Sequence, residues 1–232
     1  MTSFQCYKIL KQIAFLAMLC IMAGCATTQT SDNYANKDTL EPANRVFFDV
    51  NETLDQALIK PIAEVYVDVA PNFLRTGITN FFDNLAYLNV ILNDLLQGKL
   101  NQGISDIARF VTNSTVGIGG LFDVATSMGL EEHDEDFGQT LAVWGVDEGS
   151  YLYLPFFGPN SVRDSTDFVP STLLNPFYYI SSAILFPVTA IKAVNKRANL
   201  LEASNIRDEA AVDPYSFTRE AYLQQREYLI HD

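Results

Sequence analysis

Between Asp167 and Lys192 the chain runs 24 residues, Phe168 to Ile191, without a charged side chain. As one straight helix this stretch would be about 36 Å long, enough to cross a bilayer. Pro170, Pro176 and Pro187 interrupt it, and Asn175, Ser181 and Ser182 dilute it. A proline inside a helix removes a donor and clashes with the carbonyl four residues back. The segment is therefore expected as a broken pair of helices, in the protein core or lying in one leaflet. Broken backbone facing lipid tails leaves amides unsatisfied, so the breaks must be covered by protein or line a cavity.

The N-terminus sets the compartment. Lys8 and Lys11 precede an apolar run from Ile13 to Met22, and Ala23-Gly24-Cys25 follows. A basic start, a short apolar core and small residues before the cut describe an export signal, too short to span a bilayer. The small-small-Cys ending is that of a bacterial lipoprotein, with residues 1–24 removed and Cys25 acylated. Cleavage also removes Cys6 and Cys20, so Cys25 is the one cysteine left and no internal disulfide is available. Ala26 rather than Asp after the cysteine favours the outer membrane, on its periplasmic face, in a Gram-negative cell. Residues 25–40 are polar and aperiodic and read as an acylated tether.

Cleavage takes away 24 of the 232 residues and leaves 208, enough for one domain with a core, residues 41–232. The formal charge moves from −13 to −15 as Lys8 and Lys11 leave. So acidic a body does not bind nucleic acid or anionic headgroups through bulk charge. Yet 48% of the residues are hydrophobic, 16 of them Phe and 11 Tyr. Apolar content with strong acidity points to apolar surface facing lipid or a partner while carboxylates face water.

The pattern from Glu41 onward is helical, and no two runs read as strands joined by a hairpin turn. Phe47, Val50, Leu54 and Leu58 make one stripe, and Ile104, Ile107, Ala108 and Val111 another. Pro42 suits a first turn, Pro61 ends or kinks that helix, and Pro71 opens another. Asp213-Pro214-Tyr215 opens a last helix, with Tyr215, Tyr222 and Leu229 on one face and Phe217, Ala221 and Tyr228 nearly opposite. That arrangement suits core on one side and a partner on the other. Beside the first stripe, Asn44, Phe48, Asn51 and Asp55 fall within about 60° of each other on the helix. Such a polar, partly aromatic strip suits the wall of a lipid passage, or a plain solvated face.

Motifs for covalent chemistry are sparse. There are two histidines, His133 and His231, and no Gly-x-Ser-x-Gly elbow. Glu131-Glu132-His133-Asp134-Glu135-Asp136 offers oxygens and an imidazole to a cation but lacks the spacing of a calcium loop; it reads as a solvated acidic loop. Thr115-Val116-Gly117-Ile118-Gly119-Gly120 has no Lys-Ser/Thr after it and reads as a tight turn between helices. No cofactor is expected.

In its middle the chain resembles the MlaA/VacJ family of outer-membrane lipoproteins. The matching blocks are Asp136-Phe137-Gly138-Gln139-Thr140-Leu141, Trp144-Gly145-Val146, Gly149-Ser150-Tyr151-Leu152-Tyr153-Leu154-Pro155, Gly158-Pro159 and Arg163-Asp164. Ahead of them come Asn44-Arg45, Asn80-Phe81-Phe82, Leu95-Leu96-Gln97-Gly98, Arg109-Phe110 and Asn113-Ser114-Thr115. Where the family usually has Asp-Pro before the first helix, this chain has Asp38-Thr39.

The resemblance implies an all-α, single ring-like domain with an amphipathic central passage, partly embedded in one leaflet. It implies association with a trimeric porin, and removal of misplaced glycerophospholipids from the outer leaflet to a soluble periplasmic carrier of the MlaC kind. On that reading Asn44, Phe48, Asn51 and Asp55 lie near the passage and Phe137 and Gly138 belong to a turn that shapes it. Tyr151, Leu154, Pro155, Gly158 and Pro159 form a stiff loop acting as hinge or gate. The competing readings are an adaptor steadying a porin complex without moving lipid, and a phospholipid hydrolase or acyltransferase relying on His133.

Overall fold

Helix formation begins where the proline pattern places it. The computed structural model describes residues 37–179 and 181–231; Cys25, the signal segment and most of the tether lie outside them. Helix α1 runs Glu41–Leu54 with Pro42 in its first turn, where a missing N–H costs nothing. It continues through a π-helical turn, Asp55–Ile59, into α2, Lys60–Val69. Pro61 therefore does not end the helix: the wider turn just before it, closed by the Lys60 N–H on the Asp55 carbonyl, accommodates the ring.

Pro71 sits at the N-cap of α3, Asn72–Gln97, which stops at Gly98 in the left-handed conformation (φ +79°). Then follow α4, Leu100–Thr115, the short α5, Val124–Ser127, and α6, Phe137–Val143. The uncharged segment breaks as expected, into α7, Phe168–Leu174, a 3-10 turn, Pro176–Tyr179, and α8, Ser182–Asn199. Helices α9, Leu201–Ala210, and α10, Pro214–His231, complete the body. No described helix is long and apolar enough to cross a membrane.

The helices are turned inside out. The stripe Phe47, Val50, Leu54, Leu58 exists, but each member is at least 39% exposed. On α4 Ile104, Ile107 and Val111 also face outward, while the buried face carries Gly103, Asp106, Arg109 and Asn113. Among the described residues, buried polar and charged side chains outnumber buried apolar ones. They are held by hydrogen bonds, as buried polar groups must be. Arg109 reaches Asp123 at 2.8 Å, Thr126 and the Leu130 carbonyl; Asn113 Oδ1 accepts from the Val124 and Ala125 amides. So much outward apolar surface is costly in water and favours an apolar surrounding.

The expectation of no hairpin is corrected. Strands β1, Tyr151–Leu154, and β2, Gly158–Ser161, pair antiparallel with Tyr151 opposite Ser161 and Leu154 opposite Gly158. The tip is Pro155-Phe156-Phe157, with Phe156 at φ +67°. Two isolated strands are marginal, and the second, Gly-Pro-Asn-Ser, has no strand-forming side chain. Helix α1 supplies what is missing. Asn44 accepts from the Tyr153 amide (2.9 Å) and donates to the Tyr151 carbonyl (3.0 Å). Asn51 accepts from the Phe156 amide (3.0 Å) and donates to the Leu154 carbonyl (3.0 Å). Seven helical residues rise about 10.5 Å and three strand residues about 10 Å, so the two amides meet the free edge of β1 in register. Phe48, between them, packs edge-on against Tyr153 and Tyr215 in the aromatic core.

Asn44→Ala would strand a buried amide and a buried carbonyl at once. A loss of about 2–4 kcal/mol is expected in urea denaturation, with a smaller loss for the more exposed Asn51→Ala.

Candidate functional site

A cavity of about 450 Å³ opens between α3, α7, α8 and the segment ahead of α6. Its apolar wall is Phe82, Leu85 and Val90 from α3, Phe157 from the hairpin tip, Phe168 from α7, Phe177, and Leu185 and Val188 from α8. Phe157 and Phe168 meet edge-on at 4.8 Å, and Phe177 leans on Phe82 at 6.3 Å. The break between α7 and the 3-10 turn thus lines a cavity through Asn175 and Phe177, as the backbone accounting of that uncharged stretch requires.

The polar wall is Asn89, Asp134, Glu135, Asp136, Asp167 and Lys192. Asp136 caps α6 by accepting the Gln139 amide (2.9 Å) and is gripped by Arg226 of α10. Glu135 takes Lys99 at 2.6 Å and the amides of Gln97 and Gln102. Asp167 accepts from Asn89 Nδ2 and from the Phe137 N–H, each at 3.0 Å. Burial lowers the Lys192 pKa, with Lys196 one turn on adding to it. Enclosure by the cavity raises the Asp134 carboxyl, with Asp136 and Glu135 as like-charged neighbours adding to it and Arg226 opposing. Lys192 lies 5.7 Å from the Phe82 ring centre, so its charge stands at the seam between the two walls.

None of the six residues expected along the passage lines this cavity. Asn44, Phe48 and Asn51 fasten the hairpin instead, and Asp55 holds Arg197 of α8 through both oxygens (2.7 and 2.8 Å). Phe137 and Gly138 open α6 rather than form a turn. Gly138 is small because a Cβ there would sit 2.4 Å from Asp164 Oδ1. Tyr151, Leu154, Pro155, Gly158 and Pro159 belong to a hairpin fastened to α1, stiff as expected; Phe157, unremarked in the sequence, is the tip residue that reaches the cavity.

The acidic run is an open loop, as expected, with Glu131, Glu132 and Asp134 exposed; Glu135 is the exception. Glu135 is buried and paired, and His133 Nδ1 lies 3.0 Å from Asp106 Oδ1. Among the described residues no group of His, Cys, Asp and Glu is placed to hold a metal ion. Asp38, at the departure Asp38-Thr39, is buried and accepts from Asn44, Tyr215 and Arg219, tying the start of α1 to α10.

Apolar faces outward, polar groups within and a two-faced cavity define a class of helical protein suited to the border between an apolar medium and water. The comparisons give the family. Residues 36–229 match the model of the MlaA lipoprotein. The chain is 32% identical to the intermembrane phospholipid transport system lipoprotein MlaA of Escherichia coli K12, over 90% of this chain and 84% of that one. The Haemophilus influenzae protein of the same name is 29% identical over 91% of this chain and 86% of its own. An uncharacterized protein of Rickettsia bellii is 35% identical over 82% of this chain and 75% of its own. A solved structure, from work on the structural basis for maintenance of bacterial outer membrane lipid asymmetry, superposes with a TM-score of 0.73. It is 32% identical, with 83% of this chain and 98% of that chain covered. The chain belongs to the MlaA lipoprotein family.

Proposed function

We propose that this protein, anchored through Cys25 at the periplasmic face of the outer membrane, takes misplaced glycerophospholipid from the outer leaflet. It passes the lipid, chemically unchanged, to a soluble periplasmic carrier, and so maintains lipid asymmetry. The observation that carries this is the cavity: aromatic and aliphatic on one wall, charged on the other, as a molecule with tails and a headgroup requires. The outward stripes of α1, α2 and α4 fit immersion in one leaflet. A passage with polar lining spares the headgroup the cost of entering hydrocarbon. Lys192 is the cation of the lining, and the lipid phosphate is its natural partner.

The faces of α10 support a partner as well as a core: Tyr215 is buried, whereas Phe217 and Tyr228 are exposed. A trimeric porin is the partner we place there. His133 is bound to Asp106, with its amide on the Tyr87 hydroxyl, which ties the loop before α6 to α3 and α4.

The test is outer-leaflet phospholipid in cells lacking the gene, complemented with wild type, Cys25→Ala or Lys192→Glu, with lysophospholipid counted in the same extracts. Wild type restores the low outer-leaflet level and both variants fail, by about tenfold or more for Lys192→Glu, since a carboxylate there repels phosphate. Full rescue by Lys192→Glu removes the cavity from the route. Unchanged lipid with disturbed porin assembly favours an adaptor instead.

A further inference from the structure

The charges of the cavity wall do not cancel, and the imbalance has a direction. Glu135 is neutralised by Lys99 and Asp136 by Arg226. Asp167 holds only neutral donors, the Asn89 amide and the Phe137 N–H. The Asp134 carboxylate has no hydrogen-bond or ion-pair partner among the described residues; in the Gln139 bond it is the Asp134 backbone carbonyl that accepts. Asn89 Oδ1, on the same wall, is out of water and accepts nothing among the described residues. Two acids in no ion pair among the described residues, and an acceptor with no donor, therefore line a cavity whose cation is Lys192.

Such a wall asks for a ligand that brings both signs. Resting on the lipid-transport reading, we propose that the cavity selects glycerophospholipids whose headgroup carries an amine. The ammonium lies against Asp134 and Asp167 with Asn89 Oδ1, and the phosphate against Lys192. An ammonium brings three donors and a charge, matching two carboxylates and an amide oxygen. A headgroup with phosphate but no cation, such as glycerol, satisfies Lys192 and leaves the acids repelling its net charge. The Asp134 carboxyl agrees in direction: its enclosure, with Asp136 and Glu135 beside it, raises it above its ordinary range, and Arg226, engaged by Asp136 and Asp164, offsets this in part.

The experiment purifies the full-length lipoprotein through detergent micelles holding equal amounts of phosphatidylethanolamine and phosphatidylglycerol. Mass spectrometry then counts each lipid retained per protein. The ratio is the readout, so a variant that holds less lipid still reports. The wild type retains the amine lipid in about fivefold excess, the effect of one charge pair in a wet site, and Asp134→Asn brings the ratio toward one. Lys192→Glu lowers retention of both lipids. Equal retention by the wild type, or an excess that Asp134→Asn leaves untouched, overturns the headgroup selection while the transport reading stands. Retention of neither lipid overturns both.

Discussion

Replacing Arg226 with Met is expected to cost about 3–5 kcal/mol of folding stability, measured by urea denaturation of the purified protein. Arg226 is 7% exposed and joins three elements. Its Nη atoms donate to both oxygens of Asp136 at the head of α6 and to Asp164 Oδ1 at 3.1 Å. Tyr222, one turn earlier on α10, donates to Asp164 Oδ2 at 2.6 Å. Removing the guanidinium strips Asp136 of its ion pair and leaves it facing Asp164, which is almost wholly out of water and keeps Arg163 at 3.0 Å as its remaining cation. Breaking one partner out of a buried charge network costs far more than a well-paired bridge contributes.

Arg226, Tyr222 and Arg163 together hold the Asp164 carboxyl below its ordinary range even though burial acts the other way. Its stabilising contribution is therefore present above the ordinary carboxylate range and is lost as acid takes the pH down through the depressed value. Gly138→Ala is expected to injure the same junction from the opposite side, because the new methyl would also lie 2.9 Å from the Asp164 Cα, which is backbone and cannot yield. Since Asp136 lines the cavity, either variant should reach the cavity as well as the fold.

What the sequence showed and what it hid divide along a physical line. Prolines act locally, so Pro42, Pro71 and Pro176 marked two helix starts and a break, whereas Pro170 fits the first turn of α7 and Pro187 lies inside α8 without ending it. Pro61 does not end its helix, because a π turn just ahead of it takes up the ring. The stripes at Phe47–Leu58 and Ile104–Val111 were real helical periodicities, but periodicity is blind to which side is out. It took Arg109, Asn113 and Asp106 on the opposite face, each with distant partners, to decide that the apolar side faces outward.

The Asn44–Asn51 strip was found for its spacing and misread for its use. Its match is the edge of a strand more than 100 residues away, and that strand, four residues long, carries little signal of its own. The cavity was hidden for the same reason. Asp134, Asp167 and Lys192 come from three separate segments, and Lys192 stood out in the sequence only as the end of an uncharged run.

Asp94→Asn is expected to make the protein more stable above pH 8 and to flatten its stability between about pH 4 and 8. Asp94 on α3 and Asp106 on α4 are both fully buried, and these helices approach closely because Gly103 has no side chain to hold them apart. Two carboxyls in contact cannot both ionise without large repulsion. Asp106 has His133 Nδ1 at 3.0 and 3.1 Å from its two oxygens. Both Asp94 oxygens lack such a partner among the described residues. Burial, followed by the contact with Asp106 and then by Glu135, pushes the Asp94 carboxyl up to about 8, with Lys99 opposing weakly.

The sign follows from proton counting. In the unfolded chain Asp94 gives up its proton near the ordinary value of about 4, whereas the folded chain keeps it to about 8. Between those values the folded state binds the extra proton, so stability falls as pH rises, by up to about 1.4 kcal/mol per unit. Asn keeps the shape of the neutral acid, can donate to Asp106, and has no proton to lose. Melting curves taken from pH 5 to 9 should therefore slope downward for the wild type and run nearly level for Asp94→Asn, crossing near neutrality. Parallel curves would mean that Asp94 ionises at its ordinary value and that another cation reaches the pair.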